Sequence, residues 1–139
     1  MSKKVALVGH CGPDSSFLRM AVGRAARGIE VVAADDDREL AQLLKDGVDL
    51  LLLNRVLDYG FDETEGAAMV RKLRADYPRL KMMLVSNYPE AQAQAVAAGA
   101  LPGFGKREIG SPRVADLIRD ALSGDSPVGA ADHAGRAAE

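Results

Sequence analysis

Four places along the chain put reactive or polar side chains directly after a short apolar or glycine-rich run. They are Gly9-His10-Cys11 after VALV, Asn54 after VDLLLL, Ser86-Asn87 after LKMMLV, and Lys106 after LPGFG. Imidazole and thiolate bind Zn²⁺ and Cu, and a thiol at a helix N-terminus can act as a redox centre. A hydroxyl and an ammonium hold anions. His10 and Cys11 are adjacent, however, and the other histidine, His133, lies near the end of the chain. A tetrahedral metal site cannot be assembled from these ligands, so no metal is expected. Cys11 remains a candidate redox residue. Gly9-His10-Cys11-Gly12 superficially resembles a phosphate-cradling loop, but it is neither GxGxxG nor a Walker motif, and no Lys-Ser/Thr closes it. Asp35-Asp36-Asp37 serves as a helix cap and first-turn acids rather than as a metal cluster. No nucleophile paired with a base presents itself, so no enzyme activity and no cofactor are expected.

The elements that carry these residues follow from periodicity. Val5–Val8 is a continuous apolar run too short for a helix, which predicts a strand buried on both faces. Turn residues 12–16 then open a helix with the stripe Phe17, Leu18, Ala21, Val22 and Ala25, ended by Gly28. The pattern recurs with Glu30–Ala34 and a helix carrying Leu40, Leu43 and Leu44, closed by Gly47. It recurs with Val48–Leu53, the most apolar run and therefore the centre of the sheet. An acidic loop, Arg55–Glu65, leads to a helix with Met69, Val70, Leu73 and Tyr77. Leu80–Val85 and Glu90–Ala98 form the fourth unit, with Ser86 read as the cap of its helix. Leu101–Lys106 and a helix from Pro112, capped by Ser111, form the fifth. Five strand–helix units imply one doubly wound α/β domain, (βα)₅, with a five-stranded parallel sheet. Its site must lie at the carboxyl ends of the strands.

Composition narrows the function. The 139 residues suit one domain, and 47% hydrophobic content supports a core without disulfides, which a single cysteine cannot form internally. The formal charge of −2 offers no basic face for nucleic acid. No signal-length or membrane-spanning apolar segment is present, so a cytoplasmic protein without membrane association is expected. The domain is predicted over residues 1–122, with a disordered tail over 123–139 that lacks periodicity.

The succession VDLLLLN, LKMMLVSN and AVAAGALPGFGK in a five-fold βα chain resembles the receiver domain of bacterial two-component response regulators, a flavodoxin-like fold. The resemblance runs from about Lys4 to Leu122. It implies a phospho-accepting Asp after the third strand, a Mg²⁺-holding acidic pair after the first, a Ser or Thr after the fourth and a Lys after the fifth. Ser86 and Lys106 match. Asn54 replaces the Asp, and Gly9-His10, or His10-Cys11 in another register, replaces the acidic pair. An amide is too poor a nucleophile to accept phosphate, and these residues offer Mg²⁺ no carboxylate. Nearby Asp58 and Asp62 are the carboxylates to consider as substitute phosphoacceptors. Phe104, the candidate switch aromatic, stands two residues before Lys106, closer than in receivers, and no Pro follows Lys106. The loop after Asn54 is longer than the receiver loop and lacks its Met-Pro turn.

The resemblance therefore implies a pseudo-receiver: a phosphorylation-independent signalling domain acting through a protein partner or a second copy. The expected contact face is the fourth helix, fifth strand and fifth helix, including Ala91, Gln94, Ala95, Phe104, Val114 and Leu117. The alternative is a small-ligand or redox sensor using the pocket of Gly9, His10, Asn54, Ser86 and Lys106. Lys106 is expected to donate to Asn54 or to a backbone carbonyl. With only a short stretch after the fifth helix, no DNA-binding output domain is expected.

Overall fold

The computed structural model of the protein describes residues 3–57, 60–123 and 128–134. Five strand–helix units follow one another: β1 (Lys4–Val8), α1 (Gly12–Ala25), β2 (Glu30–Ala34), α2 (Asp37–Asp46), β3 (Leu50–Asn54), α3 (Gly66–Asp76), β4 (Met82–Val85), α4 (Pro89–Ala98), β5 (Leu101–Phe104) and α5 (Pro112–Leu122). All strand pairs are parallel, in the order β2-β1-β3-β4-β5. This is the expected doubly wound sheet, with the leucine run of β3 at its centre. Leu50, Leu51, Leu52 and Leu53 each have 0% exposure because both faces of the strand are covered. Burying one such side chain stabilises by about 1.5–3 kcal/mol. Alternate residues feed two cores. Leu51 and Leu53 pack with α2, α3 and α4 on one face. Leu50 and Leu52 pack with α1, α5 and Phe104 on the other.

Local chemistry sets the element ends. Asp36 accepts the Glu39 N–H at 2.7 Å while Glu39 Oε1 accepts the Asp35 N–H at 2.8 Å, so two acids and a glutamate form the reciprocal start of α2. Ser111 caps α5 at the Val114 N–H, with Pro112 following. At Gly66 an added Cβ would lie 2.3 Å from the Asn54 carbonyl oxygen, so glycine there lets α3 begin directly against the end of β3.

Three expectations change. Phe17, placed by spacing in the buried stripe of α1, is 57% exposed. Leu18, Ala21, Val22 and Ala25 alone make the inward face. β3 starts at Leu50 rather than Val48, because Val48 pairs elsewhere: it forms an antiparallel bridge with Val128, with both N–H···O bonds at 2.8 Å. The expectation of a disordered tail consequently does not describe residues 128–134. Val128 is 3% exposed in the core, Ala130–Asp132 form a 3₁₀ turn, and Arg79 donates to Asp132 Oδ1 from Nε at 2.9 Å and Nη2 at 2.7 Å. His133 packs edge-on against Tyr77 at 5.0 Å between ring centroids. One buried valine, two backbone hydrogen bonds, the Arg79–Asp132 pair and the Tyr77–His133 contact together join a segment that lacks periodicity to the domain. Residues 124–127 and 135–139 of the expected tail lie outside the described residues.

Candidate functional site

The carboxyl ends of β1, β3, β4 and β5 converge, and the loops after them bring Gly9, Asn54, Ser86 and Lys106 together as their positions imply. Gly9 leaves β1 with φ +73, its N–H donating to the Ala34 carbonyl at 3.0 Å. A Cβ there would lie 2.6 Å from Leu57 Cδ2. Asn54 ends β3, and its side-chain N–H₂ donates to the Gly9 carbonyl at 3.2 Å and the Val56 carbonyl at 3.1 Å. Asn54 thereby ties the loop after β1 to the loop after β3. A carboxylate at this position has no N–H to offer either carbonyl.

His10 faces inward, 9% exposed, with Nε2 donating to the Leu52 carbonyl at 2.8 Å. Its Nδ1 is buried with no hydrogen-bond partner. Burial lowers its pKa below the ordinary value of 6.5, against the bond to Leu52, which favours the charged form. Lys106 lowers it further, while Asp14 and Asp35 oppose the shift. The neutral ring is therefore the folded form. The unfolded chain binds the proton first, so stability is complete above pH 6.5 and falls as pH drops toward the lowered folded value. The slope in that window cannot exceed about 1.4 kcal/mol per pH unit, the limit for one proton. Urea midpoints measured from pH 8 to pH 5 should show this loss, and His10→Gln should remove it. An unchanged slope in the variant would show that another group is responsible.

Lys106 stands in a 3₁₀ turn, Lys106–Glu108, after β5. Its Nζ is 3.0 Å from Asp14 Oδ2, so it pairs with a carboxylate and not with Asn54 or a backbone carbonyl. Asp14, in the first turn of α1, was legible only as turn and cap chemistry. The bond from Lys106 holds its carboxyl below the usual range; burial opposes this, and the Cys11 thiol adds a smaller lowering. Cys11 is exposed at the N-cap of α1. Ser86, 4% exposed, accepts the Tyr88 N–H on Oγ at 3.1 Å. It closes the turn before α4, whereas the N-cap position itself belongs to Tyr88.

Sequence reasoning missed three further residues. Arg55 lays its guanidinium over the Tyr88 ring at 4.6 Å, forming one wall of a 310 Å³ cavity that Asn54, Ser86, Asn87 and Lys106 also line. Gln92 on α4 donates to the carbonyls of Leu84 at 2.9 Å, Ser86 at 3.0 Å and Phe104 at 3.2 Å, joining β4 to β5 behind this cavity. None of these contacts has a sequence signal, since each depends on which strands become neighbours. Phe104, the candidate switch aromatic, is 2% exposed and packs in the core under α1 and α5. Asp62 donates its N–H to Asp37 Oδ2 at 2.8 Å and lines a groove between α2 and α3, not the cavity that Asn54 lines. Asp58 lies outside the described residues.

The same architecture recurs in solved structures. The signal receiver domain of a DNA-binding response regulator from Colwellia psychrerythraea superposes with a TM-score of 0.69 at 12% identity, covering 88% of this chain and 100% of that one. The fold is that of a response-regulator receiver domain. A signal receiver domain of an HD domain-containing protein from Pseudomonas fluorescens gives 0.68 at 19% identity over 87% of both chains. A CheY-like receiver domain protein from Methanospirillum hungatei gives 0.64 at 19% identity, over 87% of this chain and 97% of that one. No family model and no curated protein matches the sequence. Within the receiver fold, Gly9, Asn54, Ser86 and Lys106 occupy the strand ends where sites of open parallel sheets form. Among the described residues no helix is long and apolar enough to cross a membrane.

Proposed function

We propose that this protein is a phosphorylation-independent receiver-like signalling domain, a pseudo-receiver that works in the cytoplasm by binding a protein partner, without catalysis. The observation that carries the reading is Asn54. Its N–H₂ bridges the Gly9 and Val56 carbonyls at the position the receiver resemblance reserves for the phospho-accepting carboxylate. Beside it, Gly9 occupies a backbone conformation and a space that disfavour the missing acid.

The partner face is α4, β5 and α5. β5 is an edge strand, and a 720 Å³ groove runs along it, lined by Ala93, Val96, Pro102, Gly105, Glu108 and Arg113. Val96 is 45% exposed there, whereas Ala95, Phe104 and Val114, also expected on this face, are core residues. This face is also where a second copy would dock.

Incubation with Mg²⁺ and acetyl phosphate, followed by intact mass spectrometry, tests the reading. The expected mass is unchanged, with no adduct of about 80 Da for a phosphoryl group. A stoichiometric adduct that disappears in Asp58→Asn or Asp62→Asn would overturn it.

One feature supports the second reading, a small-ligand sensor. The residues lining the Asn54 cavity include the cations Arg55 and Lys106 and no carboxylate. Such a cavity suits a small anion, whose binding would raise the melting temperature by mass action.

A further inference from the structure

Val48 stands between α2 and β3, and bonds on either side hold its backbone there. Gly47 donates its N–H to the Leu43 carbonyl at 3.0 Å, and Asp49 donates to the Lys4 carbonyl at 2.9 Å. Leu80, next to Arg79, is fixed in the same way by its N–H bond to the Tyr77 carbonyl at 3.0 Å. These bonds involve only residues of the strand–helix units, so the surface that Val48, Tyr77 and Arg79 present is built without the segment that lies on it. That segment, residues 128–134, fastens through separate anchors. Val128 and Val48 exchange both backbone bonds at 2.8 Å. Val128 joins the core cluster of Leu44, Val48 and Leu80, and it alone of residues 128–134 is buried. Asp132 accepts from Arg79 on Oδ1 and from the Gly129 N–H on Oδ2 at 3.0 Å, and His133 meets Tyr77 edge-on.

One apolar knob, two main-chain bonds and a carboxylate gripped by a guanidinium are the means by which a surface binds a short peptide. A helix or strand of the core would instead bury a repeating stripe. With the segment lifted, the Val48 N–H and carbonyl would lie unpaired beside an apolar depression, and Arg79 would lose its carboxylate. We propose that this surface is a peptide-binding site that the chain occupies with its own residues 128–133, as an intramolecular latch. The class of ligand is a short peptide with a β-branched aliphatic residue and, four positions on, a carboxylate, as Val128 and Asp132 provide. The short connection from α5, residues 123–127, gives the segment an effective concentration of about millimolar, so a competing peptide is excluded until the latch lifts. Val48 and Arg79 lie at the amino ends of β3 and β4, the opposite end of the sheet from Asn54, so this site and the proposed function can fail independently.

The test titrates the full chain carrying Val128→Asp, ¹⁵N-labelled, with a synthetic peptide of residues 124–139. The substitution takes the apolar anchor from the latch and leaves the surface beneath it intact. Saturable amide shifts at Val48, Tyr77 and Arg79 are expected, with a melting temperature that rises with peptide concentration. The wild-type chain, its site already filled, should bind the same peptide at least about tenfold more weakly. A peptide with Val128→Asp should lose at least about tenfold in affinity. One with Asp132→Asn should lose about fivefold or less, because Arg79 is half exposed. Hydrogen exchange on the wild type gives an independent check. The Val48 amide should exchange at least about tenfold faster than the Leu51 amide, which donates to the Lys81 carbonyl, and low concentrations of urea should leave the Val48 rate unchanged. Equal, urea-dependent exchange at both amides, or loss of native signals throughout the variant, would show the segment to be an integral piece of the core and overturn the inference. Absence of binding to the folded variant, equal binding by both chains, or shifts centred on another face would overturn the site. A wild-type dimer in sedimentation that Val128→Asp dissolves would overturn occupancy by the chain's own segment.

Discussion

Gly9→Asp, which places an acid at the end of β1, should destabilise the protein by about 2–5 kcal/mol. Two effects add. The native φ of +73 is a conformation that residues with a Cβ adopt at a cost, and the new Cβ meets Leu57 Cδ2 at 2.6 Å. Leu57 is fully buried, so it has little room to yield. Chemical denaturation gives the size, and a double-mutant cycle separates the causes. In a Leu57→Ala background the overlap is relieved, so Gly9→Asp should cost less there than in the wild type. Equal costs in both backgrounds would show that contact with Leu57 is not a source of the penalty. The result bears on the proposed function, because Gly9 is one of the three positions, with His10 and Asn54, at which this pocket departs from the receiver pattern.

Val128→Asp should cost about 3–5 kcal/mol, because it removes a buried side chain and leaves an unpaired carboxylate in its place. Val128 is 3% exposed among Val48 and the core beneath α2. Asp132→Asn should lose less than about 1 kcal/mol, since Arg79 is half exposed and its ion pair is screened by solvent. Urea denaturation of the full chain distinguishes the two, and hydrogen exchange at the Val48 amide, which donates to Val128, reports opening of the segment directly. A Val128→Asp protein with the wild-type midpoint would show that residues 128–134 do not support the core.

Both effects come from contacts between residues far apart in the chain, and they mark the limit of what residue order reveals. Periodicity and end signals determined the architecture by themselves. VALV and LLLL have to be buried on both faces, glycines 47 and 99 end helices, and Ser111-Pro112 begins one, because these preferences act over a few neighbouring residues. Five such units admit essentially one kind of sheet, so the site had to lie at the strand ends, and Asn54, Ser86 and Lys106 were legible there as residue types.

Their bonds were not legible. Lys106 chose Asp14, Asn54 chose the Gly9 and Val56 carbonyls, and Gln92 gathered three carbonyls only because the strand order made those groups neighbours. Periodicity placed Phe17 inside α1, but it sits at the margin of the stripe, where the width of the partner surface decides. Val128 carried no signal at all, since one valine among small and polar residues becomes core only when a matching backbone edge, here Val48, is left open to receive it. Sequence determines which segments must be buried; the tertiary structure decides which polar atoms meet, because hydrogen bonds and ion pairs act over a few ångströms that chain order does not specify.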